Sequence, residues 1–255
     1  KLVGGPVDND GDDTLIGSDY NDHLNGRDGD DTLNGRAGDD ELRGYDGADK
    51  LKGGRGNDDI RGGAGNDKIW GHAGNDRLFG GDGDDRFFLS DNNGSSDNTA
   101  GVDGGDGDDI VNAKWATEGI DLDLAKANVE QATGSNHADT LDASGLDEDV
   151  VLNGRRGDDS ITGTDKGDVL RGGDGDDTIS AGEGNDKIWG HAGNDSLNGG
   201  AGDDRFVLSD NNGSSDNTAG VDGGDGDDIV NAKWATEGID LDLAKANVEQ
   251  ATGSN

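Results

Sequence analysis

Large apolar side chains return at every ninth residue over more than half of the chain. From Asp8 to Phe88, nine nine-residue units follow one another without insertion, and their eighth position holds Leu15, Leu24, Leu33, Leu42, Leu51, Ile60, Ile69, Leu78 and Phe87 in turn. The polar positions are as regular. Position six is Asp13, Asp22, Asp31, Asp40, Asp49, Asp58, Asp67, Asp76 and Asp85. Position four is glycine, as at Gly29, Gly38, Gly47, Gly56, Gly65, Gly74 and Gly83, with Tyr20 the exception. Six more units run from Gly154 to Val207, with Asp159, Asp168, Asp177, Asp186, Asp195 and Asp204 at position six and Gly175, Gly184, Gly193 and Gly202 at position four. Isolated units at 104–112, 134–142 and 223–231 bring in Asp109 and Asp228, and the second of them carries His137 where glycine is usual.

Within a unit, positions one to six are turn chemistry: glycine takes positive φ and admits close backbone approach, and Asn or Asp at position five tolerates a left-handed conformation. Positions seven to nine, as in Thr32-Leu33-Asn34, predict a short strand with one side chain inward and two outward. Two units then close one coil with strands on opposite sides. Coils stacked about 4.8 Å apart build parallel sheets around a thin file of Leu and Ile. The expected fold is all-β, a right-handed parallel β-roll (β-solenoid) with two units per turn.

On this reading the chain divides into a first roll (8–88), an irregular spacer (89–153) holding the isolated units 104–112 and 134–142, a second roll (154–207) and a truncated second spacer (208–255). Residues 65–136 and 184–255 align at an offset of 119 with four differences: Arg77/Ser196, Phe79/Asn198, Asp82/Ala201 and Phe88/Val207. All four lie inside nonapeptides, while the irregular stretch from Leu89 to Asn136 recurs unchanged. A duplication, natural or engineered, in a parent built as an array of long units is the expected source.

Composition sharpens the problem. Gly numbers 50 and the net charge is −37. Leu, Ile, Val and Phe make up about 17% of the chain, a combination at which chains ordinarily stay disordered. Something cationic has to supply the stabilisation that the core does not. The same charge repels nucleic acid and anionic membrane surfaces, and there is no apolar run of about 18 residues to span a bilayer. The absence of Cys removes disulfides, thiolate nucleophiles and zinc–thiolate sites. The sequence opens at Lys1 without Met or an apolar leader and reads as a segment of a longer protein.

Stacking places Asp13 near Asp31, and Asp31 near Asp49, with backbone carbonyls between them. Carboxylates this close repel, and a hard dication with six to eight oxygen ligands relieves the repulsion. Magnesium keeps its waters and demands a tighter octahedron, and softer metals want His or Cys, so Ca2+ fits best. Pairing each unit with the second one along gives up to seven sites in the nine-unit run and four in the six-unit run, up to about eleven ions.

The complete units Gly80-Gly-Asp-Gly-Asp-Asp-Arg-Phe-Phe88 and Gly172-Gly-Asp-Gly-Asp-Asp-Thr-Ile-Ser180 resemble the RTX (hemolysin-type) calcium-binding repeat. The fifteen units of the two runs cover just over half of the chain, and Ala116–Leu124 resembles the alternating strand of the family's spacers. The resemblance implies export in an unfolded state by a type I system and folding on meeting extracellular calcium. It also implies ligands from the position-six Asp side chains and from backbone oxygens at positions one to four. The turns of Gly29, Gly47, Gly65 and Gly83 would line one ridge and those of Gly38, Gly56 and Gly74 the other. Tyr20, His137 and Asp8 depart from the family pattern at their turns.

The function expected from this resemblance is a non-catalytic, calcium-dependent structural segment of a large secreted or surface-attached adhesin-like or toxin-like protein, with calcium ions and adjacent repeats as partners. Two alternatives stand beside it: the calcium-binding tail of an extracellular protease, lipase or polysaccharide epimerase, and a carbohydrate-binding surface. For the latter, Lys50, Lys52 and Lys68 offer a basic face for extracellular polysaccharide, set against the simpler reading that they balance two acidic ridges. Trp70, Phe79 and Phe88 offer an aromatic platform, set against packing on the following segment. Trp115 and Trp234 are expected to cap the rolls, and His72 and His191 to be exposed turn residues. No zinc-protease helix, serine elbow or phosphate loop appears, and calcium accounts for the periodic Asp without a glycosidase carboxylate pair.

Overall fold

The computed structural model describes residues 11–90, 101–208, 220–232 and 246–253. Residues 8–10 of the first run, Trp234 and most of the second spacer lie outside them. The chain forms two compact units, one of Lys1–Leu122 with Lys126–Gln131 and one of Asp123–Ala125 with Ala132–Asn255.

In the first unit, alternate strands enter alternate sheets. β1 (Thr14–Ile16), β3 (Thr32–Ala37), β5 (Lys50–Arg55), β7 (Lys68–Ala73), β9 (Arg86–Phe88) and β11 (Ile110–Asn112) pair in that order, and β2 (His23–Asp28), β4 (Glu41–Asp46), β6 (Asp59–Ala64), β8 (Arg77–Asp82) and β10 (Val102–Asp106) form the second sheet. Every pairing is parallel, with Leu33 opposite Leu51 and Leu51 opposite Ile69, so one coil consumes two nonapeptides. Between β9 and β11 the coil is longer, yet Phe87 still meets Val111 in register. β12 (Asp121–Asp123), a one-turn helix α1 (Leu124–Ala127) and β13 (Gln131–Thr133) occupy the sequence where one unit gives way to the other.

The second unit repeats the plan. β15 (Val151–Arg156), β17 (Val169–Asp174), β19 (Lys187–Ala192), β21 (Arg205–Val207), β23 (Ile229–Asn231) and β24 (Gln250–Thr252) make one parallel sheet, and β14 (Thr140–Asp142), β16 (Ser160–Thr162), β18 (Thr178–Glu183), β20 (Ser196–Ala201) and β22 (Val221–Asp225) the other. Each unit is therefore a parallel β-roll. No helix of the described residues is long and apolar enough to cross a membrane.

The position-eight residues form the core: Leu24, Leu33, Leu42, Leu51, Ile60, Ile69 and Phe87 in the first unit and Leu170, Ile188 and Phe206 in the second have no exposed surface. Most internal strands are longer than the three residues the nonapeptide predicts. They continue into positions one to three of the next unit, because position one is extended and inward while position two absorbs a bend at positive φ, as at Arg27 (φ 93), Arg36 (φ 81) and Tyr45 (φ 81). Pairing runs through that bend, with Arg36 opposite Gly54 and Ala37 opposite Arg55. The remaining turn is only positions four to six. Its left-handed residue is the position-four glycine, with φ between 116 and 140 from Gly29 to Gly83, and not the position-five Asn or Asp. At position one the roll has little space: a Cβ on Gly44 would overlap Oδ2 of Asp49 and come 2.6 Å from the carbonyl oxygen of Gly62.

Candidate metal centres

The position-six carboxylates point into the stack and make a ladder along each edge of the roll. Along most of the stack Oδ1 accepts the main-chain N–H of the Asp one coil earlier, and Oδ1 of Asp168 accepts that of Val150. On one edge Asp13 donates to Asp31 at 2.7 Å, Asp31 to Asp49 at 2.7 Å, Asp49 to Asp67 at 2.8 Å and Asp67 to Asp85 at 2.7 Å. On the other edge Asp22 donates to Asp40, Asp40 to Asp58 and Asp58 to Asp76, at 2.8 to 2.9 Å. In the second unit Asp159 donates to Asp177 at 2.9 Å, Asp177 to Asp195 at 3.1 Å, Asp168 to Asp186 at 2.7 Å and Asp186 to Asp204 at 2.9 Å. The ladders span the longer coils through Asp85 to Asp109 and Asp204 to Asp228. These two ladders then end on a glutamate: the N–H of Asp109 meets Glu130 at 2.7 Å and that of Asp228 meets Glu249 at 2.6 Å. The repeat pattern gives no sign of these glutamates, which replace Asp without preserving its spacing.

Oδ2 has a different fate. In Asp13, Asp31, Asp40, Asp49, Asp58, Asp67, Asp85 and Asp109, and in Asp159, Asp177, Asp186, Asp204 and Asp228, this oxygen is buried without a hydrogen-bond partner. A buried carboxylate oxygen in that condition is costly unless a cation or donor meets it.

Three turns supply the donor from the chain. Oδ2 of Asp22 accepts the main-chain N–H of Ser18 and its hydroxyl, the latter at 2.8 Å. The main-chain N–H of Ser135 reaches Oδ2 of Asp139 at 2.6 Å while its hydroxyl bonds Oδ1, and Thr164 contacts Asp168 through both its N–H and its hydroxyl. These hydroxyls also accept a main-chain N–H two residues on, from His137 and Lys166 at 3.0 Å and from Tyr20 at 3.3 Å. Position four is thus capped locally and carries an ordinary residue. The non-glycine residues that break the pattern mark the turns where Ser or Thr has taken over the carboxylate.

Where Oδ2 is partnerless no N–H or hydroxyl caps it, and the turns stack main-chain carbonyls instead. The position-four carbonyls of Gly29, Gly38, Gly47 and Gly56 sit against Gly47, Gly56, Gly65 and Gly74 of the following coil so closely that a Cβ there would collide; Gly65 and Gly83 stack likewise. In the second unit the carbonyl of Gly175 faces Gly193 and that of Gly184 faces Gly202. Among the described residues no three His, Cys, Asp or Glu side chains converge as a ready-made cluster. A cation here would draw on a carboxylate oxygen and on main-chain carbonyls, the donor set of a hard ion such as calcium. The residues present fit it.

Position five builds an outer ladder of its own. Asp30 N–H bonds Asp12 Oδ1 at 2.9 Å, Ala48 N–H bonds Asp30 at 2.8 Å, and Asn57 N–H bonds Asp39 at 2.8 Å. Asx at this position therefore ties coil to coil in the direction opposite to the buried ladder, a role that a turn propensity alone does not reveal.

Burial pushes the inner carboxyls above their usual range. Asp49, Asp76, Asp85, Asp195 and Asp204 rise to about 6, Asp58, Asp109, Asp159 and Asp186 to about 7, and Asp67 and Asp177 to about 8. Desolvation is the largest cause, and the main-chain N–H of the earlier coil opposes it. Neighbouring carboxylates add to the rise, as Asp85 and Asp49 do at Asp67. Without a cation these groups resist ionisation.

The expected roles separate by mutation. Replacing Asp58 by Ala removes an unpaired buried oxygen and is expected to lower the number of calcium ions bound; Asp168→Ala removes a carboxylate already held by Thr164 and should leave that number unchanged. Equilibrium dialysis on the two variants reads the difference, and equal losses would refute the distinction.

The RTX calcium-binding nonapeptide repeat model matches the chain at residues 7–42, 26–60, 35–69, 53–87, 61–94, 153–188 and 171–206. No curated protein matches the sequence.

Proposed function

The chain belongs to the RTX calcium-binding nonapeptide repeat family, and on that premise we propose that it is a structural segment of a large extracellular protein, secreted or attached to the cell surface, that folds when it meets calcium. The observation that carries the reading is the row of buried, partnerless Oδ2 atoms along each roll. Calcium at these oxygens would neutralise carboxylates whose ionisation burial disfavours. Asp31, Asp40, Asp49, Asp58, Asp67, Asp85 and Asp109 are the ligands assigned in the first unit, and Asp159, Asp177, Asp186, Asp204 and Asp228 in the second, with Asp13 beginning the row. Asp22 and Asp168 are assigned to Ser18 and Thr164 instead.

In a low-calcium cytosol the same oxygens oppose folding, which keeps the chain extended for export. Outside the cell, stabilisation grows with every ion bound, about 2.7 kcal/mol per site when calcium exceeds its Kd a hundredfold. Stacked coils couple neighbouring sites, so folding should be steep in calcium. No catalytic step is assigned to this segment. Limited proteolysis tests the switch: at submicromolar free calcium the chain is expected to be cut throughout, and at millimolar calcium to resist except outside the rolls. A fragment pattern indifferent to calcium would end the proposal.

A further inference from the structure

The two sheets of the first unit differ in charge in a way that calcium binding does not require. β2, β4, β6, β8 and β10 mix acids with bases and pair them: His23 with Glu41, Arg43 with Glu41, and Arg61 with Asp59 at 2.8 Å. By contrast β1, β3, β5, β7, β9 and β11 contain no Asp or Glu at all, in a chain with 58 of them. Those strands carry Arg36, Lys50, Lys52, Arg55, Lys68 and Arg86.

Lys50 lies opposite Lys68, and Lys68 opposite Arg86, on consecutive rungs. Like charges facing each other across strands are destabilising, and none of the three forms an ion pair with a described residue. Beside them the outward column runs Lys52, Trp70, Phe88. Trp70 and Phe88 stack at 4.5 Å with an interplanar angle of 7°, and the Lys52 ammonium lies 5.2 Å from the Trp70 ring. The aromatic pair thus occupies its faces internally and holds a lysine in place, leaving cations as the recognising groups.

The second unit shows a related segregation: β19, β21 and β23 repeat β7, β9 and β11 through the duplication, and β15 and β17, which lie outside it, are basic as well. β15, β17, β19, β21 and β23 carry Arg155, Arg156, Arg171, Lys187 and Arg205, with Arg171 over the Trp189 ring and Asp174 the sole acid, bonded to Arg156 at 3.4 Å. Its partner strands β14, β16, β18, β20 and β22 carry no Lys or Arg.

We propose that the carboxylate-free sheet of the first unit is a docking face for a carboxylated polysaccharide, a polyuronate lying along the roll. Cations recur with the rung spacing of about 4.8 Å, comparable to the repeat of an extended pyranose chain bearing one carboxylate per sugar. Duplex DNA is a poorer match, with a charge per about 1.7 Å of its axis against one cation per rung on the roll. In an extended chain consecutive carboxylates point to opposite sides, so those facing the sheet would meet alternate rungs and relieve the repulsion within the lysine column.

The test is isothermal titration of the calcium-loaded chain with a short polyuronate oligomer, with circular dichroism confirming that the roll stays folded throughout. The native chain is expected to bind the oligomer, not its carboxyl-reduced neutral counterpart, and more weakly as salt rises. Lys50→Gln/Lys52→Gln/Lys68→Gln should weaken binding by about tenfold or more, while Arg43→Gln/Arg61→Gln/Arg77→Gln on the other sheet should not. Equal losses in the two triple variants, equal binding of the neutral oligomer, or no binding by a chain that is folded would overturn the proposal. Tighter binding of a single-stranded oligonucleotide, lost in the lysine variant, would overturn the choice of polymer. A chain that stays unfolded in calcium would instead count against the calcium switch.

Discussion

In excess EGTA at neutral pH the chain is expected to lose its far-ultraviolet β-sheet signal, to regain it when calcium is restored, and to remain unfolded when magnesium is supplied in its place. Within the repeats the apolar core is a thin file of one Leu, Ile or Phe per unit, Leu15 to Phe87 in the first roll, and its neighbours at position one are mostly glycine. That is little burial against the conformational entropy of a chain with 50 glycines. The buried Oδ2 atoms add a further cost when unpaired. Calcium reverses that cost at every coil. Magnesium holds its waters and needs a compact octahedron, which carbonyls fixed by sheet pairing are poorly placed to supply. A chain equally folded in EGTA, or equally rescued by magnesium, would contradict this account.

Acidification of the calcium-free chain is expected to have the second-largest effect, and in the direction opposite to that of most proteins. Asp49 to Asp109 and Asp159 to Asp204 include carboxyls raised from 3.8 to between about 6 and about 8 in the roll. In the unfolded chain they ionise near 3.8. Below that value both states are protonated and the carboxyls do not oppose folding. As pH climbs from about 4 to about 8 the unfolded state releases its protons first, so stability falls across that window. In EGTA the β-sheet signal should therefore be larger near pH 4.5 than near pH 8. With calcium present the order inverts, because the ion must displace protons from the roll and its apparent affinity weakens as pH falls. Circular dichroism across pH, with and without calcium, measures both limbs; two parallel curves would remove the raised carboxyls from the explanation.

Much of this was legible in the sequence because the constraints are periodic. A nonapeptide with Leu or Ile at position eight and Asp at position six gives the coil length, the parallel register and the inward file, and each appears in the roll, as Leu33 opposite Leu51 shows. What the pattern conceals is conformational or pairwise. The positive φ at Arg27 and Tyr45 lies at position two, where glycine occurs in only some units, as at Gly54 and Gly63, so the bend is easily missed and the strands run longer than their three obvious residues. Ser18, Ser135 and Thr164 look like ordinary turn residues until their hydroxyls are seen on Asp22, Asp139 and Asp168. Tyr20, His137 and Lys166 were the available signal, since a turn that abandons glycine has to satisfy its N–H in another way. The basic face was legible too, since the period sets Lys50, Lys52 and Lys68 on one side of the coil, and Lys50 lies opposite Lys68 and Lys68 opposite Arg86; only the strand bounds show that the whole sheet lacks Asp and Glu.

Diffraction at a wavelength where calcium scatters anomalously, from crystals grown in millimolar calcium, tests the central claim most directly. The account predicts anomalous density against the Oδ2 atoms of Asp31, Asp49, Asp58, Asp67, Asp177 and Asp186, and none against Asp22, Asp139 or Asp168. Those buried oxygens surrounded only by water, or density at the Ser- and Thr-capped turns instead, would contradict it.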